Sequence, residues 1–523
     1  MFVSTGLSPR TLEAERRKVV RKEGKQVLLL WQDGKVFALA NRCPHEGYPL
    51  SEGTPGPGCV LTCNWHNWKF DLASGAALIG RDPVRVYPIE IRADEIFVDL
   101  ADPPADAQRE RALKGLDIAI ADNDLSRMAR EVARLERAGF SADEALVHAV
   151  KSAAPRFENG MTHAYAAAPD WLALASRAPA PEERLSATLE PIAHVSWDTL
   201  GMGAFPYAEG KTAWDARTFV TAAENEDEAA ALSLVRGAIA SRLPYSTLRP
   251  ALSEVALAHY ADFGHSAIYV LKAGQLIARL GDNVAEPVLL ALVRSLVQAT
   301  REERLPEFRH YFDAFAAWDS KGTRPIAAAD LRHLSPAKIL DRVVQSSGRP
   351  VRELFDALLG AAAWNLLNFD LAFDAATDNA IADNVGWLDF THALTFANAA
   401  RHLCEERPDL WPRALLQLAL FVGRNAGYVA ETNDSARWNV TDQKDFLSRE
   451  MATLYDHGIV EPIIACHRLK VLFALEDELA AAPDAPWADT MCAAVNRYLA
   501  TPQKRRHGLR LATQARDFIA REG

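Results

Sequence analysis

Long apolar runs are missing from this sequence. No uncharged stretch approaches the roughly 18 residues that suggest a membrane span, and the start, Met1 to Gly6, lacks a charged region and reaches Pro9 before an apolar core could form. Neither a transmembrane helix nor a signal peptide is therefore expected. Cysteine is scarce, six in 523 residues. That is too few for a disulfide scaffold and fits a reducing compartment, so the expected location is cytoplasmic. Positive charge is short as well, with a formal net charge of −11, which argues against a nucleic-acid surface. The basic runs Arg16-Arg17-Lys18 and Lys504-Arg505-Arg506 read as solvated faces. No Gly-x-Gly-x-x-Gly opens a βαβ pattern, so no built-in nicotinamide site is expected. Any reducing equivalents the protein uses would then come from outside the chain, from an external reductase or a ferredoxin-type donor.

What is present is ordinary globular composition, 49% hydrophobic and 24% charged, in a chain long enough for several domains. Two fragments stand out: Cys43-Pro44-His45 and Cys63-Asn64-Trp65-His66. Each offers one thiolate and one imidazole. Zinc also accepts two cysteines and two histidines, but usually with the cysteines paired at one end and the histidines at the other. One of each per loop suits a two-iron centre, in which two thiolates hold one iron and two imidazoles the other.

Residues 63–75, reading Cys-Asn-Trp-His-Asn-Trp-Lys-Phe-Asp-Leu-Ala-Ser-Gly, resemble the second cluster loop of Rieske ferredoxins and Rieske oxygenases. The resemblance implies a [2Fe-2S] cluster on Cys43, His45, Cys63 and His66, in loops projecting from a small β domain. High-potential members of the family tie the two loops by a disulfide, at positions occupied here by Tyr48 and Trp65, and place a hydroxyl donor where this chain has Asn67 and Trp68. Cys59 does not replace the bridge. Fewer donors to the cluster imply a potential toward the low end of the Rieske range, on the order of −150 mV, the poise of a donor to an oxygenase.

The rest of residues 1–103 reads as a small all-β domain. Gln26 to Trp31 and Lys35 to Ala40 flank an Asp33-Gly34 hairpin signal, and Val84 to Ile91 and Glu95 to Leu100 form a second pair around Arg92-Ala93-Asp94. Ala101 to Ala105, with two prolines, is a natural linker. From residue 104 to 523 apolar residues recur at helical spacing, as in Ile118 to Ala138, Ala229 to Ser241, Ala285 to Thr300, Val351 to Leu367 and Leu415 to Val422. The expected architecture is a small all-β Rieske domain followed by a large all-α domain that holds a catalytic or ligand-binding site, with residues 106–155 as a separable helical segment.

The helical part is not the catalytic domain of an ordinary Rieske oxygenase, because Asp-x2-His-x4-His is absent and Asp389-Phe390-Thr391-His392 has Ala397 in place of a second histidine. It resembles instead the questin oxidase family, through Asn159-Gly160-Met161-Thr162-His163, through Phe263-Gly264-His265-Ser266-Ala267-Ile268, and through Leu388 to Thr395. That family's members are helical proteins associated with oxidative ring opening of aromatic polyketides. It tends to carry paired histidines near the last segment, where this chain has only His392.

Candidates for catalysis or for a second cofactor, either iron or an organic group, are His163, His265, Asp389, His392 and His467. Asp389 and His392 are three apart on an expected helix and share a face. His265 and His467 are expected among apolar neighbours that favour a neutral imidazole. His259 meets His265 only if Gly264 breaks the helix. His194 belongs to the same scattered set. His402 with Glu405, and His457 with Glu461, read as solvated pairs. Trp197, Trp364, Trp387 and Phe390 are candidates to line an apolar pocket near His265 and His392, although such aromatics are more often plain core. The reading is an oxidoreductase, monooxygenase-like, whose cluster feeds electrons to the helical domain for action on a hydrophobic or aromatic small molecule. The alternative is a redox sensor or electron carrier whose helical domain only binds a ligand or partner.

Overall fold

The computed structural model describes residues 2–376, 378, 384–431, 434–456, 462–502 and 508–522. His457, Glu461 and the Lys504-Arg505-Arg506 run lie outside the described residues. The chain divides into two compact units, one made of residues 1–119, 124–142 and 510–523, the other of 120–123 and 143–509. Every described strand lies in the first and before residue 100. A small β domain followed by a large helical part is thus the observed architecture. The first unit nevertheless extends past residue 103, and residues 106–155 form no body of their own. The helix Leu125–Arg137 belongs to the first unit and Asp143–Ala153 to the second.

Ten strands, β1 (Phe2–Ser4), β2 (Arg17–Lys22), β3 (Lys25–Gln32), β4 (Lys35–Ala40), β5 (Thr54–Gly56), β6 (Val60–Thr62), β7 (Lys69–Asp71), β8 (Ala77–Ile79), β9 (Ile89–Arg92) and β10 (Glu95–Asp99), make three antiparallel sheets, ordered β1-β10-β9, β2-β3-β4 and β5-β6-β7-β8. The β3–β4 hairpin turns on Asp33 and Gly34 at φ 51° and 73°, the left-handed pair that a two-residue turn demands. Ala93 and Asp94, at φ 47° and 62°, do the same for β9–β10 without a glycine. Val27 to Leu30 are all buried and do not alternate, because β3 is covered on both faces, one of them by the helix Pro9–Glu15 with its buried Leu12. The strand expected from Val84 shrinks to Ile89–Arg92. Pro83 and Pro88 cannot donate to a ladder, and before Ile89 only Val86 bridges, to Leu39.

The single helix expected over Ile118 to Ala138 is two, Ala105–Ala121 and Leu125–Arg137. Asn123 takes a left-handed φ of 52°, and the Asp124 carboxylate caps the second helix by accepting from Arg127 N at 3.0 Å. That helix is tied to the β domain through a buried Arg127–Asp82 pair. The C-terminal helix Gly508–Arg521 is tied to it in turn through Arg134 and Glu522, 2.6 Å apart.

In the second unit four helices matter most. They are α1 (His163–Ser176), α2 (His265–Leu280), α3 (Trp387–Glu406) and α4 (Pro462–Ala481). Each packs on two of the others, in the ring order α1, α2, α3, α4. All four run in the same direction. His163 meets His265 and, seven residues farther along both helices, Asp170 meets Lys272. His392 meets His467 and, ten residues on in both, His402 meets Asp477. Arg177, just past α1, reaches Glu476 on α4 at 2.8 Å. The bundle therefore has one end where the histidines collect and another where the helices finish. No described helix is long and apolar enough to cross a membrane.

Candidate functional site

The two cysteine-histidine loops of the first unit are built alike. In the first, Cys43 N donates to Tyr48 O and Gly47 N to Cys43 O, both at 2.8 Å; in the second, Cys63 N donates to Trp68 O at 2.8 Å and Asn67 N to Cys63 O at 2.9 Å. Gly47 and Asn67 fill the same left-handed position, at φ 78° and 60°. Two equivalent turns thus present two cysteines inward and two histidines outward. Cys43 and Cys63 are buried and unbridged, and burial together with the neighbouring Cys63 pushes the Cys43 thiol up to about 12. Thiolates here need a cation beside them. His45 and His66 face each other through Nδ1 at 3.1 Å, and burial lowers the His45 pKa. Trp68 stacks on His45 and Trp65 on His66, while Arg130 donates to His45 O at 2.9 Å. His66 and Trp65 are exposed, so the imidazole edge faces solvent.

In the second unit, four imidazoles from four helices converge. His265 Nε2 lies 3.1 Å from His163 Nε2 and 3.0 Å from His392 Nε2, and His467 Nε2 lies 3.2 Å from His392 Nε2. The rings of His163 and His467 close the circuit at a centroid separation of 4.9 Å. Ligand atoms of His163, His392 and His467 all lie within 4.8 Å of one another. The local sequence explains the placement. Thr162 caps α1 by accepting from Ala164 N, which makes His163 its first residue. Gly264, at φ 73°, breaks the preceding turn so that His265 begins α2; an added Cβ there would meet the Phe396 ring at 2.7 Å.

The outward nitrogens fix the tautomers. His265 Nδ1 donates to Asp262 O at 2.5 Å, His392 Nδ1 to Leu388 O at 2.7 Å and His467 Nδ1 to Ile463 O at 2.7 Å. A carbonyl can only accept, so each proton sits on Nδ1. Burial, and then the Lys470 charge, takes the His265 pKa down to about 3. Burial holds His163, His392 and His467 well below the ordinary imidazole value. The Nε2 lone pairs of His265, His392 and His467 then point into one place, and a single proton on His163 Nε2 cannot satisfy all three. A metal ion can, and a backbone carbonyl on the far nitrogen is the usual support of a metal-ligating histidine.

Sequence reasoning named these four histidines but not what holds or surrounds them. Asp389 stands apart: its carboxylate accepts from Gly386 N at 2.9 Å at the start of α3 and pairs with Arg424. Gly264 does break the chain, yet His259 turns to Glu303 and Glu224, at 2.6 and 2.9 Å. His402 pairs with Asp477 rather than Glu405, and His194 lies 3.7 Å from Asp198. Of the expected pocket aromatics, Trp197 is exposed, Trp364 packs on His333, and Trp387 and Phe390 pack on Phe369. The aromatics at the imidazoles are Phe263 against His392 and Tyr269 against His265. Past the histidine layer the bundle holds a buried Lys272–Asp170 pair at 2.7 Å and buried Lys470. A cleft of about 640 Å³, lined from all four helices by residues including Asp170, Lys272, His402 and Asp477, follows. The seven-residue steps from His163 to Asp170 and from His265 to Lys272 were the available signal for this column.

Residues 7–88 match the family of the Rieske [2Fe-2S] domain. The ferredoxin component of the p-cumate 2,3-dioxygenase system of Pseudomonas putida is 30% identical over 94 residues, which cover 18% of this chain and 80% of that protein. The chain belongs to the Rieske [2Fe-2S] family through this domain. The 4beta-methylsterol monooxygenase of Methylococcus capsulatus is 32% identical over 104 residues, 18% of this chain and 28% of that protein. Among solved structures, the ferredoxin of carbazole 1,9a-dioxygenase from Nocardioides aromaticivorans IC177 is similar at 25% identity, over 19% of this chain and 96% of that one, with a TM-score of 0.18. The donor set fits a Rieske cluster: two buried adjacent thiols for one iron, and two outward imidazoles presenting Nδ1 for the other. The Rieske domain is an electron-transfer module.

Proposed function

We propose that this chain is an oxidoreductase in which the Rieske domain passes electrons to a metal held by His163, His265, His392 and His467, and that it acts as an oxygenase on a hydrophobic or aromatic small molecule. The observation that carries this reading is the convergence of four neutral imidazole Nε2 atoms, three of them with Nδ1 tied to a backbone carbonyl. Iron is the metal favoured here: imidazole suits zinc, copper, iron and nickel alike, and of these iron, beside an electron-donating cluster, supplies one-electron and dioxygen chemistry. Around it the protein contributes the rings of Phe263 and Tyr269 and a charged column toward the cleft. The relatives of the Rieske domain support the oxygenase reading, being components of the p-cumate, biphenyl and naphthalene dioxygenase systems. A questin oxidase-like reaction is part of the proposal: the three segments on which that resemblance rests each carry one histidine of the ring, His163, His265 and His392, with His467 closing it.

Metal analysis of the anaerobically purified full chain tests the proposal. The expected result is the two irons of the cluster plus about one further metal ion, followed by substrate-dependent oxygen uptake when a ferredoxin reductase supplies electrons to the chain. Metal at cluster stoichiometry only, in protein offered iron, would overturn it.

A further inference from the structure

Lys470 is buried, 2% exposed, and its Nζ has no hydrogen-bond partner among the described residues. It sits one turn beyond His467 on the same face of α4, about 4.5 Å farther along the bundle, and four residues after Cys466, whose Sγ is 3.9 Å from His163 O. Burial is the main cause that lowers the four imidazole pKa values, and the Lys470 charge adds to it at each; burial lowers the Lys470 pKa in turn, opposed by Cys466 and Asp170. Burying an ammonium without a counter-charge is costly.

The nearest carboxylate does not meet the need. Asp170 pairs with Lys272 through one oxygen, and its Oδ2 is itself unpartnered. A water could join that oxygen to Lys470, yet two lysines would still share one carboxylate. The four histidines bring no negative charge, so a metal there only adds to the excess. Two further carboxylates lie near the ring but face other groups. Asp198 is turned to His194, 3.7 Å away, with its Oδ2 buried and unpartnered among the described residues, and Asp262 is half-exposed on the Nδ1 side of His265.

We propose that Lys470 is the anchor of an anion site: a monoanionic ligand binds between its ammonium and the metal of the four-histidine ring. This rests on the reading that the ring holds a metal. Four nitrogens in a ring leave its faces for other ligands, and Lys470 lies beyond one of them. The anion supplies the missing charge, and the column toward the cleft is where it is stabilised.

The test loads the full chain with Co(II), keeps the Rieske cluster oxidised and EPR-silent, and titrates with azide and separately with benzoate while recording the Co(II) EPR spectrum. Wild type is expected to change spectrum with either anion. Lys470→Met should bind the anion at least about tenfold more weakly at unchanged cobalt content, and Lys470→Arg within a few-fold of wild type. Lysine-dependent binding of azide alone assigns the site to small inorganic anions, and of benzoate as well to organic carboxylates. Equal azide and benzoate affinities in wild type and Lys470→Met overturn this inference and leave the metal reading standing. Failure of the wild type to take up cobalt beyond the cluster overturns both.

Discussion

His265 Nε2 lies 3.0 Å from His392 Nε2 across 127 positions of chain and 3.1 Å from His163 Nε2 across 102. With the protons held on the far side of His265 and His392, lone pairs face each other in a buried place. Without a cation such a ring would be strained by its own electrostatics, and a bound cation would relieve it.

Removing one corner should therefore separate binding from stability. His392→Leu is expected to lower affinity for the additional metal by on the order of 100-fold or more while leaving the Rieske EPR signal intact. Without metal, the same variant should unfold at a temperature no lower than metal-free wild type, because it also removes a lone-pair repulsion. A large loss of apo stability would indicate that the histidines serve as core hydrogen-bonding groups.

The cluster ligands predict the complementary outcome. His45→Ala should abolish the visible absorption and reduced-state EPR signal of the Rieske domain and leave metal uptake by the helical unit unchanged. In wild type the potential should lie near the bottom of the Rieske range, on the order of −150 mV, since Tyr48 and Trp65 cannot form the loop disulfide and Asn67 and Trp68 bring no hydroxyl after His66. A redox titration returning a value above about +100 mV would contradict that account.

Gly264→Ala probes how the ring is positioned. The backbone there is left-handed, and a Cβ would press on the Phe396 ring. We expect a loss of about 1–3 kcal/mol in denaturant unfolding, accompanied by weaker metal binding because His265 starts the helix that follows.

The cluster was legible because its ligands lie in two short local motifs whose residue types state the chemistry. The histidine ring was legible only as four candidates. Convergence across 75 to 127 positions is set by four parallel helices, and no periodicity specifies that. Asp389 shows the opposite failure: its three-residue spacing from His392 suggested a shared face, but at the third position of a helix a carboxylate turns back to the free N–H of Gly386. The reach of the first unit past residue 103 also escaped the sequence, because Arg127–Asp82 and Arg134–Glu522 join residues far apart. The break at Asn123 was concealed by apolar periodicity that continues through it.

His259 offers a pH test away from either ligand set. Burial opposes its charge, but hydrogen bonds to Glu224 and Glu303, with their Coulombic attraction, outweigh burial and raise its pKa to about 9. Glu224 is held below its ordinary value by the same contact. The folded pKa lies above the unfolded value of about 6.5, so the folded state binds the proton more tightly. The resulting stability is fully present below about pH 6.5 and is lost as pH rises through 9, with about 3 kcal/mol as its upper bound and about 1–2 kcal/mol expected once solvent screens these partly exposed contacts. His259→Gln keeps a polar side chain but cannot be charged. The difference in urea unfolding free energy between wild type and this variant should be largest near pH 6 and shrink steadily to pH 9. A difference that stays constant across that window would mean that His259 is neutral in the folded protein and that its two carboxylate contacts carry no charge-dependent stability.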